Sequence, residues 1–499
     1  MGDERVEREN PKRLAGVLVF VLLISFATLL YFGREIYQQA PPIPEAVMTT
    51  EGAVVYTGDD IRAGMDVWRS IGGQELGSIW GHGAYVAPDW TADWLHREAV
   101  LLLDSWAILE DARDFDTLGD ERKAALTARL KRELRTNSYD AATGAVVISM
   151  ARERAVREVA GHYIALFGDA PELSQLRDDY AMPSNTVSTP ERAERLTAFL
   201  FWATWACVTE RPESEITYTN NWPPDELVGN RPTGDMVLVS VASFVLLLGG
   251  IGALTWYYAA TRRRWEDENT APMRDPLLGI VVTPSMKATH KYFWLVGGLL
   301  VVQMITGMVV AHYGVEGVAF YGFPLAEWVP YSLARTWHTQ LGIFWIATSW
   351  LATGLFIAPV VSGAEPRFQR AGVNFLFFAL IVIVVGSMVG QALAIHQRLG
   401  AEMNFWFGHQ GFEYVDLGRF WQTFLLVGLF VWLALLVRCI WPAYKIAEGA
   451  ERWLLGAFAL SAGAIALFYS PGLFWGQHTN LAIAEYWRWW VVHLWVGAF

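Results

Sequence analysis

The chain has 499 residues; 53% are hydrophobic, only 18% are charged, and mean hydropathy is +0.25. Soluble domains carry about 25% charged residues, so these values exclude an ordinary soluble enzyme and a disordered protein. A formal charge of −12 leaves no basic footprint for nucleic acid, and two cysteines, Cys207 and Cys439, exclude a disulfide scaffold.

What remains is a membrane protein with a sizeable aqueous part. A transmembrane helix needs about 20 mostly apolar residues. The first such stretch, residues 14–32, follows a charged head and lacks a small-residue cleavage site, which predicts an uncleaved anchor. About 200 residues of soluble composition follow. Within them Leu126, Leu130 and Leu134 recur at helical spacing, and a second helical stretch covers residues 151–167. Elsewhere this part is rich in Gly, Pro and Trp, as at residues 81–88 and 220–224, which suits compact loops and turns. No CxxCH motif occurs, so no c-type haem is attached covalently. Apolar spans then come quickly, at residues 236–259, 292–311, 338–361, 373–395, 420–440 and 454–469, and a last one opens near Tyr486.

Lys and Arg in short loops set the orientation of such spans. Arg262, Arg263, Arg264, Arg274 and Lys287, then Arg367 and Arg370, then Arg438 and Lys445, all fall on one side if the N-terminus is inside. The expected division is a cytoplasmic head and anchor at residues 1–35, an outer domain at residues 36–235 and a helical bundle at residues 236–499. The two cysteines then lie on opposite sides of the membrane and cannot pair.

Ten histidines remain to be sorted. His82, His96 and His162 fall in the outer domain and read as surface or turn residues. His290 marks the inner boundary, and His396, His409 and His478 read as structural residues of outer loops. His338 opens one apolar span and His493 lies inside the last, where a polar ring is costly and normally has a partner. Imidazole is a natural ligand for haem iron and non-haem iron. Sequence physics weighs that role equally with a hydrogen bond to a neighbouring helix. His312, Glu316 and Phe320 stand at i, i+4 and i+8 at the outer end of the third span, one side of a continuing helix. His and Glu offer acceptors for quinol hydroxyl protons and Phe offers a wall. On spacing alone, an interfacial salt bridge or cap is the better reading.

Five stretches taken together resemble one family over essentially the whole chain. They are Gly83-Ala84-Tyr85-Val86-Ala87-Pro88-Asp89, Tyr218-Thr219-Asn220-Asn221-Trp222-Pro223, Ala334-Arg335-Thr336-Trp337-His338-Thr339, Gln410-Gly411-Phe412-Glu413-Tyr414 and His493-Leu494-Trp495-Val496. The family is the quinol-dependent nitric oxide reductases of the haem–copper oxidase superfamily. The resemblance implies a mainly α fold: a polytopic transmembrane bundle joined to an outer cytochrome c-like domain that lacks haem c. It implies a bacterial inner membrane, with the large domain on the periplasmic side. Two nitric oxide molecules would be reduced to nitrous oxide and water with quinol electrons. The cofactors implied are a low-spin haem b and a binuclear site of high-spin haem b and non-haem iron.

By the same resemblance, His338 corresponds to one axial ligand of the low-spin haem. His493 corresponds to one of three histidines on the non-haem iron. His312, Glu316 and Phe320 correspond to the quinol site. Glu413 resembles an acidic residue that binds calcium near the haem propionates in relatives, with Tyr85 as its partner from the outer domain. Membrane lipid, quinol and nitric oxide are the expected partners. Without CxxCH no soluble cytochrome c is required, and a homodimer is left open. Two departures stand out. The family has Glu four residues after the iron histidine, where this chain has Gly497, followed by Ala498 and Phe499, and glycine can neither ligate iron nor accept a proton. The sequence also stops there, which is the expected mark of an N-terminal fragment with an incomplete bundle. A nitric oxide dismutase-like relative, and a non-catalytic membrane protein whose histidines only join helices, are the alternatives.

Overall fold

The computed structural model describes residues 11–262 and 274–496. Gly497, Ala498 and Phe499, and the loop arginines Arg263 and Arg264, lie outside the described residues. The chain begins with α1 (Pro11–Gln39). An extramembrane part follows, built from β1 (Ala46–Thr49), β2 (Val54–Thr57), α2 (Gly58–Ser70), α3 (Trp90–Asp111), α4 (Asp120–Arg135), β3 (Tyr139–Asp140), β4 (Ala145–Ile148), α5 (Met150–Phe167), α6 (Ser174–Asp179) and α7 (Pro190–Val208). The bundle takes α8 (Gly234–Arg262), α9 (Pro284–Val315), α10 (Leu325–Trp328), α11 (Tyr331–Ser362), α12 (Gln369–Ile395), α13 (Ala401–Phe407), α14 (Arg419–Ile446), α15 (Gly449–Tyr469) and α16 (Leu481–Trp489). After α16 the turns at Trp490–Val496 widen to π-helical hydrogen bonding.

Seven helices among the described residues are long and apolar enough to cross a membrane, and they match the seven spans expected. The protein is a mainly helical, multi-pass membrane protein. Helix α9 runs past its apolar core because its start is capped. Thr283 accepts from the Met286 N–H and Pro284 fills the first turn, so α9 begins eight residues before the expected span. Hydropathy places the start of the fourth span at His338. Its helix starts instead at Tyr331, after Pro330, so His338 lies two turns inside. The extra turns carry Ser332 and Thr336, which are polar yet buried, and a hydropathy reading does not see them.

In the extramembrane part, Leu126, Leu130 and Leu134 form the buried stripe their spacing predicts. The sheet is a finding that the sequence did not announce. Its order is β2-β1-β4-β3, and β1 pairs parallel with β4, Ala46 opposite Ala145. Strands of two to four residues are too short to show alternation. The core is tryptophan-rich: Trp68, Trp90, Trp94, Trp202 and Trp205 are fully buried, and Trp94 stacks on Tyr163 at 5.2 Å. Burying each indole contributes up to about 4–6 kcal/mol of transfer free energy.

This core continues without a break into the bundle. Glycines allow the contact. A Cβ on Gly73 would lie 2.3 Å from the Gly411 backbone, and both residues have positive φ, +52° and +80°. The backbones therefore touch, and the Gln74 N–H donates to the Gly411 carbonyl at 2.9 Å.

Candidate functional site

His312 stands in the last turn of α9. The helix stops at Val315 because Gly317, at φ +87°, turns the chain, and the N–H groups of Glu316 and Gly317 both donate to the His312 carbonyl. The returning loop lays the Phe320 ring flat on His312, with centroids 3.9 Å apart and planes 8° apart. Glu316 Oε2 lies 3.0 Å from His312 Nδ1. The three residues thus meet as expected, but through a turn rather than a continuing helix. Glu316 and Phe320 are exposed and His312 is half-buried; Tyr321 closes the His312 ring edge-on at 5.9 Å. The extramembrane domain reaches this end of α9, where Val86 packs over Gly314 and Ala84 joins the cluster around Tyr313.

His338 Nδ1 lies 2.9 Å from the Gln303 carbonyl of α9, so it carries the proton and donates. A Cβ on Gly307 would come within 2.7 Å of His338 Cε1, so the glycine makes room for the ring. Gln303 is itself fixed, its Oε1 accepting from Trp345 Nε1 at 2.6 Å. His338 Nε2 keeps its lone pair and has no partner among the described residues. One ring nitrogen on a carbonyl and the other free is the arrangement of a metal-binding imidazole.

Between α11 and the extramembrane domain lies a buried polar seam that the sequence did not reveal. Glu75, fully buried, is bound by Arg335, whose guanidinium also binds Glu413. Glu485 accepts from Gln74 Nε2 at 2.7 Å and Arg488 Nη2 at 2.8 Å, and lies 2.9 Å from His82 Nδ1. His82, expected at a surface or turn, is half-buried in this seam. Glu413 accepts from Arg335, its N–H donates to Gln74 Oε1 at 3.0 Å, and no hydrogen bond joins it to Tyr85, which is 83% exposed. The clue was Arg335 itself, a charge just ahead of an apolar run.

His409 is also buried in this region. Its Nδ1 accepts the Gly411 N–H at 2.9 Å, so its proton sits on Nε2, 3.0 Å from Thr336 Oγ1. Burial pushes its imidazole down to about 3. Burial likewise pushes the Asp416 carboxyl well above its ordinary range, against the hydrogen bond from Gln340. The two groups are 3.6 Å apart, and burial disfavours the charged form of each.

Residues 44–224 match the family model of the NorB cytochrome c-like domain of nitric oxide reductase. Residues 287–499 match the model of cytochrome c and quinol oxidase polypeptide I. The chain belongs to the haem–copper oxidase family, in its nitric oxide reductase NorB-type form. No curated protein matches it.

Membership in the haem–copper oxidase family implies haem and metal cofactors, and the residues present fit them unequally. His338, with Nδ1 satisfied and Nε2 free, fits a haem iron. His493 packs on Trp489 at 4.1 Å and is exposed. Among the described residues no three His, Cys, Asp or Glu side chains come together as a metal site. The three-histidine iron site is therefore not assembled from them. A calcium ion held by Glu413 and Tyr85 would share Glu413 with the Arg335 guanidinium.

Proposed function

We propose that this haem–copper oxidase family member takes electrons from a membrane quinol for the reduction of two nitric oxide molecules to nitrous oxide and water, in a bacterial inner membrane with residues 36–235 on the periplasmic side. The observation that carries this reading is the His312–Glu316–Phe320 cluster at the membrane edge. Oxidising a quinol removes two electrons and two protons, so its site needs a flat apolar wall and proton acceptors. Phe320 supports the wall. Glu316, a carboxylate that only accepts, takes the Nδ1–H of His312 and leaves Nε2 as an acceptor. A quinol hydroxyl donating to Nε2 passes its proton there, and Glu316 stabilises the charged ring that results. Glu316 Oε1 is the acceptor for the second hydroxyl.

Helix α9 links this cluster to the haem ligand. Gln303, whose carbonyl holds His338, lies nine residues before His312, about 14 Å along the axis. His338 would hold a low-spin haem b through Nε2, and that haem supplies one-electron transfer. High-spin haem b and non-haem iron complete the reading, with His493 as one iron ligand.

The test replaces Glu316 with Ala. Quinol-driven consumption of nitric oxide should fall by about 100-fold, the ordinary worth of a positioned acid or base. Consumption driven by an artificial reductant that bypasses the quinol should stay near wild type. Equal loss with both donors would sink the quinol assignment.

A further inference from the structure

The membrane face opposite the extramembrane domain carries a feature that quinol chemistry does not use. Where α9 and α12 begin, a cavity of about 530 Å³ is lined by Lys287, His290, Lys291, Trp294, Arg370 and Asn374. Lys287, His290, Lys291 and Trp294 stand at i, i+3, i+4 and i+7, one face of α9. Lys291 lies about 10 Å along the helix from Pro284. Its Nζ donates to Asn374 Oδ1 at 2.6 Å and stands 4.6 Å from the Phe377 ring centre, which leaves two ammonium hydrogens to use.

No carboxylate among the described residues pairs with Lys287, Lys291 or Arg370. Glu365, the acid nearest to Arg370 in sequence, accepts the Ser285 N–H at 3.1 Å instead. The starts of two long helices add further partial positive charge at the same place. Three cations without a carboxylate partner among the described residues, in and beside a low-dielectric medium, repel one another, and a charge at such a depth normally has a partner. Below the cations the wall is apolar: Trp294 is 73% and Phe378 65% exposed.

We propose that this cavity binds the phosphate of an anionic phospholipid from the leaflet away from the extramembrane domain. The phosphodiester takes hydrogen bonds from Lys287, Lys291 and Arg370, and Trp294 and Phe378 pack against the glycerol and upper acyl chains. The apolar wall is what favours a lipid over free phosphate. Basic pockets between transmembrane helices commonly hold anionic headgroups, at a gain of about fivefold in affinity per charge.

The experiment places the protein in nanodiscs of phosphatidylcholine doped with phosphatidylglycerol and measures by mass spectrometry the lipid that stays bound on release. Wild type should retain phosphatidylglycerol in preference to phosphatidylcholine. Lys287→Gln/Arg370→Gln changes two exposed positions, so folding is not at risk, and should weaken retention about 25-fold. Adding Lys291→Gln should abolish the preference. Equal retention by wild type and the double variant, or equal retention of both lipids, would overturn the proposal. Displacement by inorganic phosphate at millimolar concentration would make this a free-anion site and overturn the lipid assignment.

Discussion

The His312 cluster and the polar seam are both made of acids and bases around aromatic rings, yet they are built in opposite ways. The cluster draws its three members from nine consecutive residues, and none of them is buried. The seam joins residues far apart in the chain, Arg335 to Glu75 across 260 positions and Gln74 to Glu485 across 411, and most are buried. Exposed charges lose little on folding and contribute little to it, whereas buried ones must be paired with good geometry. The difference teaches what each region is for: the seam holds two domains together, and the cluster is left free to meet a ligand.

The strongest way to test that division is to remove Arg335. Arg335→Ala leaves Glu75 and Glu413 facing each other without a cation, Glu75 with no access to water. Breaking such a buried pair costs about 3–5 kcal/mol, or about 3–5 °C in the unfolding midpoint for a chain of this size. Arg335→Lys should recover only part, because an ammonium cannot bond both carboxylates through a planar fork. A midpoint unchanged in Arg335→Ala, read by thermal unfolding in detergent, would remove the seam from the account of stability.

A smaller effect should appear with pH. His409 in the folded chain stays neutral down to about 3, while an unfolded histidine takes up its proton near 6.5. Its contribution is fully present above about pH 6.5 and is lost as pH falls toward 3, at about 1.4 kcal/mol per unit. Asp416 works the other way: its raised carboxyl contributes at low pH and loses that contribution as pH rises through its folded value. Between about pH 7 and pH 5, wild type should lose about 2 kcal/mol more than His409→Gln, which cannot titrate. Equal slopes for the two proteins would mean that His409 is not held neutral.

The same contrast explains what the sequence could reveal. The seven spans, the Leu126 stripe and the meeting of His312, Glu316 and Phe320 are local, so hydropathy and spacing found them. The Gly317 turn that completes the cluster was missed, because spacing could not tell a turn from a continuing helix. Glu75, Arg335 and Glu485 were not legible as a unit, since nothing in the residues around each one names a partner hundreds of positions away. The Gly73–Gly411 contact that brings them together shows only in three dimensions. His338 was found by its apolar surroundings, but its partner Gln303 was not, because the bond goes to a backbone carbonyl that any residue would supply.

The smallest effect on stability, and the sharpest test of the comparison, belongs to Phe320. Its ring is exposed and touches mainly His312 and Tyr321, so Phe320→Leu should cost no more than about 1 kcal/mol, the worth of one aromatic pair. Function should respond more. Without the flat ring the quinol loses one wall and His312 loses the stack that fixes its plane, so the quinol KM should rise several-fold while reduction by an artificial donor stays unchanged. If Phe320→Leu instead lowers the unfolding midpoint as far as Arg335→Ala and leaves the quinol KM alone, the cluster is a cap on the end of α9. The two regions would then differ only in exposure, and electron input from quinol would have to be sought elsewhere on the bundle.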